Sequence, residues 1–548
     1  MHKPPPRGLF VLGLLFMVPA AAQSGDGTIL YVHRDPAARA LGTAVLGLSD
    51  LNGDGHADYA IGAPGFTGSG NRIQAISGRN GTPLWTKTNT VSGTGFGSIL
   101  RRAPDYDLDG HADIFVGEPD HNSGTGRMQI VSAKTGTTLT TLTGTATGDG
   151  FGINAVDIGD MNKDGKSDLL VTSINYPTGN AWGRVETISG ANFTTVLATQ
   201  YGSGMGSRFG AALAACGDVD SDTYPDYLIS EPGANANAGI VRQYSGRFRS
   251  VLKSVNDPSE NWRFGEAITP VGDTNGDGEA DVIIGQLKDT SWNGRVHAYT
   301  QKTMAPLFVI YGGGYGAWGL ITVPVGDLDA DGGADFALAM PGLKNTYGQV
   351  SVFSGKTQAE IRTIKGWEYP GGLGSGLGAC DLDADGKQDL IIGQPGSVSM
   401  GSPVGQAVWA MSLQKLPLST PTGHTVSLKN GGLVTYVLDA GPTKAGQTYL
   451  LTGSMSGWKP GFPLWGHQIP LNIDMYFTTV TGNVNSPILP NSFGTLDANG
   501  RASCTFQVIP GLPAQFIGTV IDHAAIVVCP NFACMHLATN ARPVTLVD

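Results

Sequence analysis

The sequence predicts an all-β protein: a seven-bladed β-propeller followed by a C-terminal β-sandwich-like domain. Three observations carry this. Glycine numbers 81 and proline 32 in 548 residues while 41% of the chain is hydrophobic, which implies short strands, tight turns and enough apolar material for cores. A nine-residue acidic pattern recurs seven times at nearly constant spacing, the signature of a repeat architecture. One unpaired strand precedes the first copy and one is missing after the last, so a closed ring leaves no free edge.

The elements follow in order. Lys3 and Arg7 precede an apolar run from Leu9 to Val18, and Ala20-Ala21-Ala22 supplies small residues before Gln23. This is the layout of a signal peptide over 1–22, and ten apolar residues are too few to span a bilayer. The mature protein is expected to be secreted or at the cell surface (periplasmic or extracellular), with no transmembrane segment. Residues 28–413 are expected to form the propeller, strand 28–33 completing the last blade, followed by a linker at 414–422 and the second domain at 423–548.

The repeated pattern is D-x-[DN]-x-D-x-x-x-D. It begins at Asp50, Asp105, Asp160, Asp218, Asp273, Asp327 and Asp381, in steps of 55, 55, 58, 55, 54 and 54 residues. Each copy follows an aromatic or leucine with glycine (Leu41-Gly42, Phe96-Gly97, Phe151-Gly152, Phe209-Gly210, Phe264-Gly265, Trp318-Gly319, Leu377-Gly378) and precedes a β-type run such as DYAIGAP or DLIIGQP. A variable loop, a third strand, a serine-glycine turn and a weaker fourth strand complete about 55 residues, the content of one blade.

Carboxylates this dense repel one another unless a cation neutralises them. Oxygens at positions 1, 3, 5 and 9, with a backbone carbonyl at 7, suit Ca²⁺, which takes six to eight hard oxygen ligands. The expected ligands are Asp50, Asn52, Asp54 and Asp58; Asp105, Asp107, Asp109 and Asp113; Asp160, Asn162, Asp164 and Asp168; Asp218, Asp220, Asp222 and Asp226; Asp273, Asn275, Asp277 and Asp281; Asp327, Asp329, Asp331 and Asp335; and Asp381, Asp383, Asp385 and Asp389. Up to seven structural Ca²⁺ ions are implied. An EF-hand needs a glutamate at position 12, where this chain has only Ile, Val or Leu. Mg²⁺ fits less well because it keeps its waters. Position 6 is glycine except in loop four, where Thr223 stands there and Pro225 follows at position 8. A β-branched residue is disfavoured in such a turn, so site four should be the weakest.

The frame F-G … D-x-[DN]-x-D-G-x-x-D … G-A-P resembles the FG-GAP repeats of the integrin α-subunit N-terminal β-propeller and its bacterial relatives, over residues 28–413. The triplet is intact at Gly62-Ala63-Pro64, altered at Gly117-Glu118-Pro119 and Gly393-Gln394-Pro395, and lost at Thr172-Ser173-Ile174. The resemblance implies adhesion or ligand binding on the face opposite the acidic loops. Aromatics collect in the loops of that face: Tyr176, Trp182, Trp262, Trp292, Tyr315, Trp367 and Tyr369. They suit stacking on sugars or anchoring a protein, and packing between blades is the competing reading.

A non-enzymatic calcium-binding module, monomeric and taking an extracellular protein or glycan ligand, is therefore expected. The alternative is a secreted propeller-type polysaccharide lyase or other glycan-degrading enzyme, with His121, Arg127, Lys288, Arg295 and Lys344 as its groups. No G-x-S-x-G or H-E-x-x-H occurs, and the one G-x-G-x-x-G, at Gly314 to Gly319, precedes no helix signal. A net charge of −11 argues against nucleic acid, and 25 of the 45 acidic residues are aspartates of the seven loops. Beyond Leu416, short β-type runs fit a sandwich. Cys216 and Cys380 read as core residues, and Cys529 with Cys534 as a possible hairpin staple beside Cys504.

Overall fold

The computed structural model describes residues 23–24, 28–34, 40–65, 71–91, 93–257, 262–287, 294–312, 321–341, 348–365, 372–396, 406–413, 418–419, 425–427, 429, 432–439, 446–455, 462–464, 467–469, 485, 489, 491–498, 501–508, 520–528, 535–538 and 542–547. The expected signal peptide at 1–22 and the glycine motif at 314–319 lie outside them.

Seven antiparallel sheets follow one another along the chain, each built on four consecutive strands or, in the last, three plus one from the N-terminal side. Blade one is Val45–Gly47, Tyr59–Ala63, Asn71–Ile76 and Pro83–Asn89. The second strands are buried along nearly their whole length, as in Asp168–Ser173 and Asp389–Gln394. They are sandwiched between neighbouring blades and therefore read as continuous apolar runs. Fourth strands such as Pro306–Tyr311 alternate between exposed and half-buried residues, as an outer rim should.

Thr28–His33 pairs antiparallel with Ala407–Ser412, the third strand of blade seven, in the register Thr28 to Ser412 and His33 to Val408. The ring is thus closed by a strand from the far end of the propeller. Gln23–Ser24 adds a short fifth strand to blade six beside Glu360–Lys365.

The aromatic or leucine of each frame is a wedge between blades: Phe96, Phe151, Phe209 and Phe264 are buried, and Phe96 packs with Ile73 and Ala75 of blade one and Val116 and Val131 of blade two. The glycine after it takes a left-handed turn, with φ 86° at Gly97 and 94° at Gly265, and a Cβ at Gly97 would press on the Arg72 carbonyl of the preceding blade. In blade seven this place is held by Leu373-Gly374, not Leu377-Gly378. Leu373 is buried, Gly374 has φ 91°, and its N–H donates to Gly393 O as that of Gly42 does to Gly62 O. Leu377 instead lies within the strand Gly376–Cys380. The glycine-rich run offers two Leu-Gly pairs, and the geometry selects the one that precedes the strand.

The C-terminal part holds a three-stranded sheet (Leu418–Ser419, Gly432–Asp439, Arg501–Val508) and a larger one built on Val520–Val528, Thr448–Ser454, Arg542–Val547, Thr425–Ser427 and Phe493–Thr495. Tyr436, Leu438 and Phe506 from the first share one core with Leu451, Ala525 and Val527 from the second, a sandwich arrangement. Leu418–Ser419, within the segment expected to be a linker, pairs with Leu438 and Val437. Cys216, Cys380 and Cys504 are buried free thiols; Cys529 and Cys534 lie outside the described residues.

Candidate metal centres and the opposite loop face

Each acidic loop joins the first and second strands of its blade, and all seven take one backbone conformation. The N–H of position 5 donates to the first aspartate's Oδ1 at 3.0–3.1 Å. The N–H of position 6 donates to its Oδ2 at 2.7–3.0 Å. The N–H of position 7 reaches the fifth residue's carboxylate at 2.8–3.1 Å. Position 6 is left-handed throughout, from φ 85° to 92° in the glycines, and Thr223 is forced to 71°. Position 4 is left-handed as well, including Leu108, Lys163, Ser221, Ala330 and Ala384, a constraint the residue types conceal.

The aspartate at position 9 differs from the others. All seven of these residues are fully buried, and each accepts the N–H of position 2 at 2.7–2.9 Å. In five blades its other oxygen accepts an N–H from just past the third strand: the glycine of the serine-glycine turn (Gly78, Gly190, Gly246 or Gly355), or Leu413 in blade seven. Asp58 and its counterparts thus tie the loop to the blade at both ends. The serine of the serine-glycine turn also contributes, as Ser77, Ser189 and Ser354 donate to the position-5 carboxylates Asp54, Asp164 and Asp331 at 3.0–3.2 Å. This serine was legible only as part of a turn.

The loops fit a hard cation. Carboxylate oxygens of Asp105, Asp107 and Asp113, of Asp218, Asp220 and Asp226, of Asp327, Asp329 and Asp335, and of Asp381, Asp383 and Asp385 converge within 4.8 Å of one another. Loops one, three and five place Asn52, Asn162 and Asn275 at position 3, so a neutral oxygen stands where the other four loops have a fourth carboxylate. Buried oxygens of Asp109, Asp113, Asp222, Asp281 and Asp383 receive no hydrogen bond from the described protein, a costly arrangement that a cation relieves. Electrostatics agrees. Burial pushes Asp113 up to about 7 and Asp335 to about 6, and burial with the neighbouring Asp383 charge pushes Asp385 to about 7. At Asp50, Asp105 and Asp273 burial opposes ionisation but is outweighed by backbone donors, and these carboxyls sit below the ordinary range. A bound divalent ion reverses the first set of shifts.

On the opposite face, the loops joining strands two to three and four to one carry the expected ligand aromatics. Tyr176 packs against Tyr201 and under the Arg184 guanidinium, 4.6 Å from the ring centre. Trp262 covers Arg295 at the same distance, and Arg295 is further paired with Asp257 at 2.6 Å. These rings cap arginines. Trp182 stands 41% exposed. Trp292, Tyr315, Trp367 and Tyr369 lie outside the described residues, as do Lys288 and Lys344. His121 and Arg127 belong to blade two and Arg295 to blade five, so the structure does not join them. Arg127 grips Glu118 with two bonds of 2.7 and 2.9 Å, and Arg242 pairs with Glu231. The glutamates that alter the G-A-P turn are therefore buried partners of third-strand arginines.

Seven blades, each with the same acidic loop between its inner strands, define the class: a repeat β-propeller with an aspartate-rich loop in every blade, four of which bring three carboxylates together as a metal ion would require. The FG-GAP repeat model matches residues 41–74 and 373–411, and the FG-GAP-like repeat model matches 105–171. The chain carries FG-GAP repeats over these residues and is similar to integrin α subunits. It is 27% identical over 307 residues to human integrin alpha-IIb, covering 47% of this chain and 29% of that protein. It is 32% identical over 192 residues to integrin alpha-4 of Xenopus laevis (33% and 18%), and 28% over 241 residues to integrin alpha-V of Gallus gallus (38% and 23%). The chain spans less than a third of the length of these relatives. No helix among the described residues is long and apolar enough to cross a membrane.

Proposed function

We propose that this chain is an extracellular adhesion or ligand-binding module whose propeller is held rigid by Ca²⁺ in its acidic loops, with the ligand, a protein or a glycan, taken on the opposite face. The observation that carries the reading is the seven-fold identity of the loops, with converging carboxylates and buried oxygens that lack a donor. Ca²⁺ is favoured over Mg²⁺ because all the ligands come from one flexible nine-residue loop rather than from water. Similarity to integrin α subunits supports the adhesive role, and Trp182 and the loops around it supply the surface. The ions are structural in this reading, since the loops lie across the propeller from that surface. Secretion follows from the signal-like 1–22 segment, and a monomer is sufficient because the ring closes on itself. A non-enzymatic role is favoured because Arg127 and Arg295 are occupied by Glu118 and Asp257.

The test is differential scanning calorimetry with and without EDTA, beside a glycan and matrix-protein array. A site at a hundredfold excess of Ca²⁺ over its Kd adds about 2.7 kcal/mol, so chelation should lower the propeller melting temperature markedly. Array binding should be lost in EDTA and restored by Ca²⁺. An unchanged melting temperature would refute the calcium reading, and release of reducing ends or unsaturated products from a glycan would refute the binding-only one.

A further inference from the structure

The innermost strands of all seven blades surround a cavity of about 460 Å³ on the propeller axis, separate from the acidic loops and from the aromatic loops. Antiparallel register places one residue per blade at each level. At the level two residues beyond the last loop aspartate stand Leu46, Arg101, Val156, Ala214, Thr269, Val323 and Gly378. Arg101 is the one charge in that ring, and among the described residues it has no carboxylate in ion-pair range. Its guanidinium donates only to the carbonyl of Leu100, its own neighbour, at 3.0 Å. The single other charged side chain lining the cavity, Glu266, is already held by Arg208 at 2.8 Å and Arg263 at 3.5 Å. Thr322, also on the wall, has a hydroxyl oxygen with no hydrogen-bond partner. Arg101 is exposed to this cavity, so its guanidinium is presented there rather than spent on a side-chain partner.

We propose that the axial cavity binds a small organic carboxylate, its charge paired with Arg101 and its apolar body lying against Leu46, Val156 and Val323. A guanidinium fork matches a carboxylate with two parallel bonds, and one arginine balances one negative charge. Phosphate would leave further charged oxygens against aliphatic walls, which is unfavourable. The volume lies in the range of small-molecule sites. This site does not depend on the adhesive reading.

The test is isothermal titration of the calcium-loaded full chain with sodium benzoate and sodium butyrate, with sodium chloride and inorganic phosphate at matched ionic strength. Saturable binding of a carboxylate is expected, reduced at least tenfold in R101M and R101Q, while both variants keep the melting temperature because the exposed Arg101 side chain donates only to the Leu100 carbonyl. V156W, which fills the cavity and leaves Arg101 in place, should also abolish binding. Absence of saturable binding of both carboxylates to the unaltered chain, equal affinity in R101M, or equally tight binding of chloride or phosphate would each overturn the proposal.

Discussion

Thr223 offers the sharpest test of how the loops are built. It stands where six loops have glycine, and it holds φ 71° with its N–H on Asp218 at 2.8 Å. A left-handed conformation costs an L-residue roughly 1–2 kcal/mol, and a β-branched side chain belongs at the upper end. Glycine removes that strain but returns part of it, about 0.5–1 kcal/mol, as unfolded-state entropy. The exposed bond from Lys163 Nζ to the Thr223 hydroxyl, 2.9 Å, is also lost, a contribution of a few tenths of a kcal/mol at the surface. The net gain for Thr223→Gly is about 1 kcal/mol. Strain that reappears when the loop closes on an ion is read as affinity, so site four should tighten about fivefold. Tyr224 at position 7 can sensitise terbium luminescence, and the part of the signal lost on Tyr224→Phe in a Tyr106→Phe background reports loop four. The reciprocal Gly332→Thr should weaken site six by a similar factor. If T223G leaves the terbium or competing calcium Kd of site four unchanged, or weakens it, backbone strain is not what sets that site.

Other consequences are equally concrete. A Cβ at Gly190 would collide with the Ser167 carbonyl oxygen, so Gly190→Ala should cost about 3 kcal/mol in a denaturant titration; a loss below about 0.5 kcal/mol would show that the turn yields. Asp58→Asn sets an amide N–H₂ against one of the two N–H donors that reach Asp58, from Leu51 and Gly78, and should cost about 2–3 kcal/mol even in EDTA, unlike removal of a residue that serves only the ion. His523 is fully buried beside Tyr436 at 2.8 Å, and burial holds its pKa down to about 3. Because the unfolded value is higher, near 6.5, its contribution is complete above pH 6.5 and is lost as pH falls toward 3, by up to about 1.4 kcal/mol per unit. Unfolding free energies of the C-terminal domain from urea titrations at pH 7 and 5 should differ by about 2 kcal/mol, and His523→Phe should flatten that slope.

Much of this was legible because repetition turns single residues into statistics. Seven copies of one loop define strand order, closure and the place of the acidic loops without any three-dimensional knowledge. What stayed hidden was conformational or relational. Position 4 is left-handed in every loop, yet Leu108 and Lys163 give no sign of it, since the constraint is imposed by the carboxylate the loop wraps rather than by the residue. The position-9 aspartates read as ligands, but their burial also makes them struts between loop and third strand. Blade seven has one residue fewer between its glycine and its acidic loop, which displaced the motif to Leu373-Gly374. Tyr176 and Trp262 read as loop aromatics, but their stacking with Arg184 and Arg295 is a relation that a sequence does not place.

The strand that closes the ring also sets a clock. His33 finds its partner Val408 only when the chain between them, about 375 residues, has been made. At roughly 5–20 residues per second of synthesis, Thr28–His33 waits about 20–75 s as an unpaired apolar edge, the kind of segment that seeds aggregation. Blades one to six can each form as their residues emerge, whereas blade seven joins the first-made part of the propeller to the last. Yield of the folded ring should therefore depend on how well that waiting strand is shielded, and a slower ribosome lengthens its exposure in direct proportion.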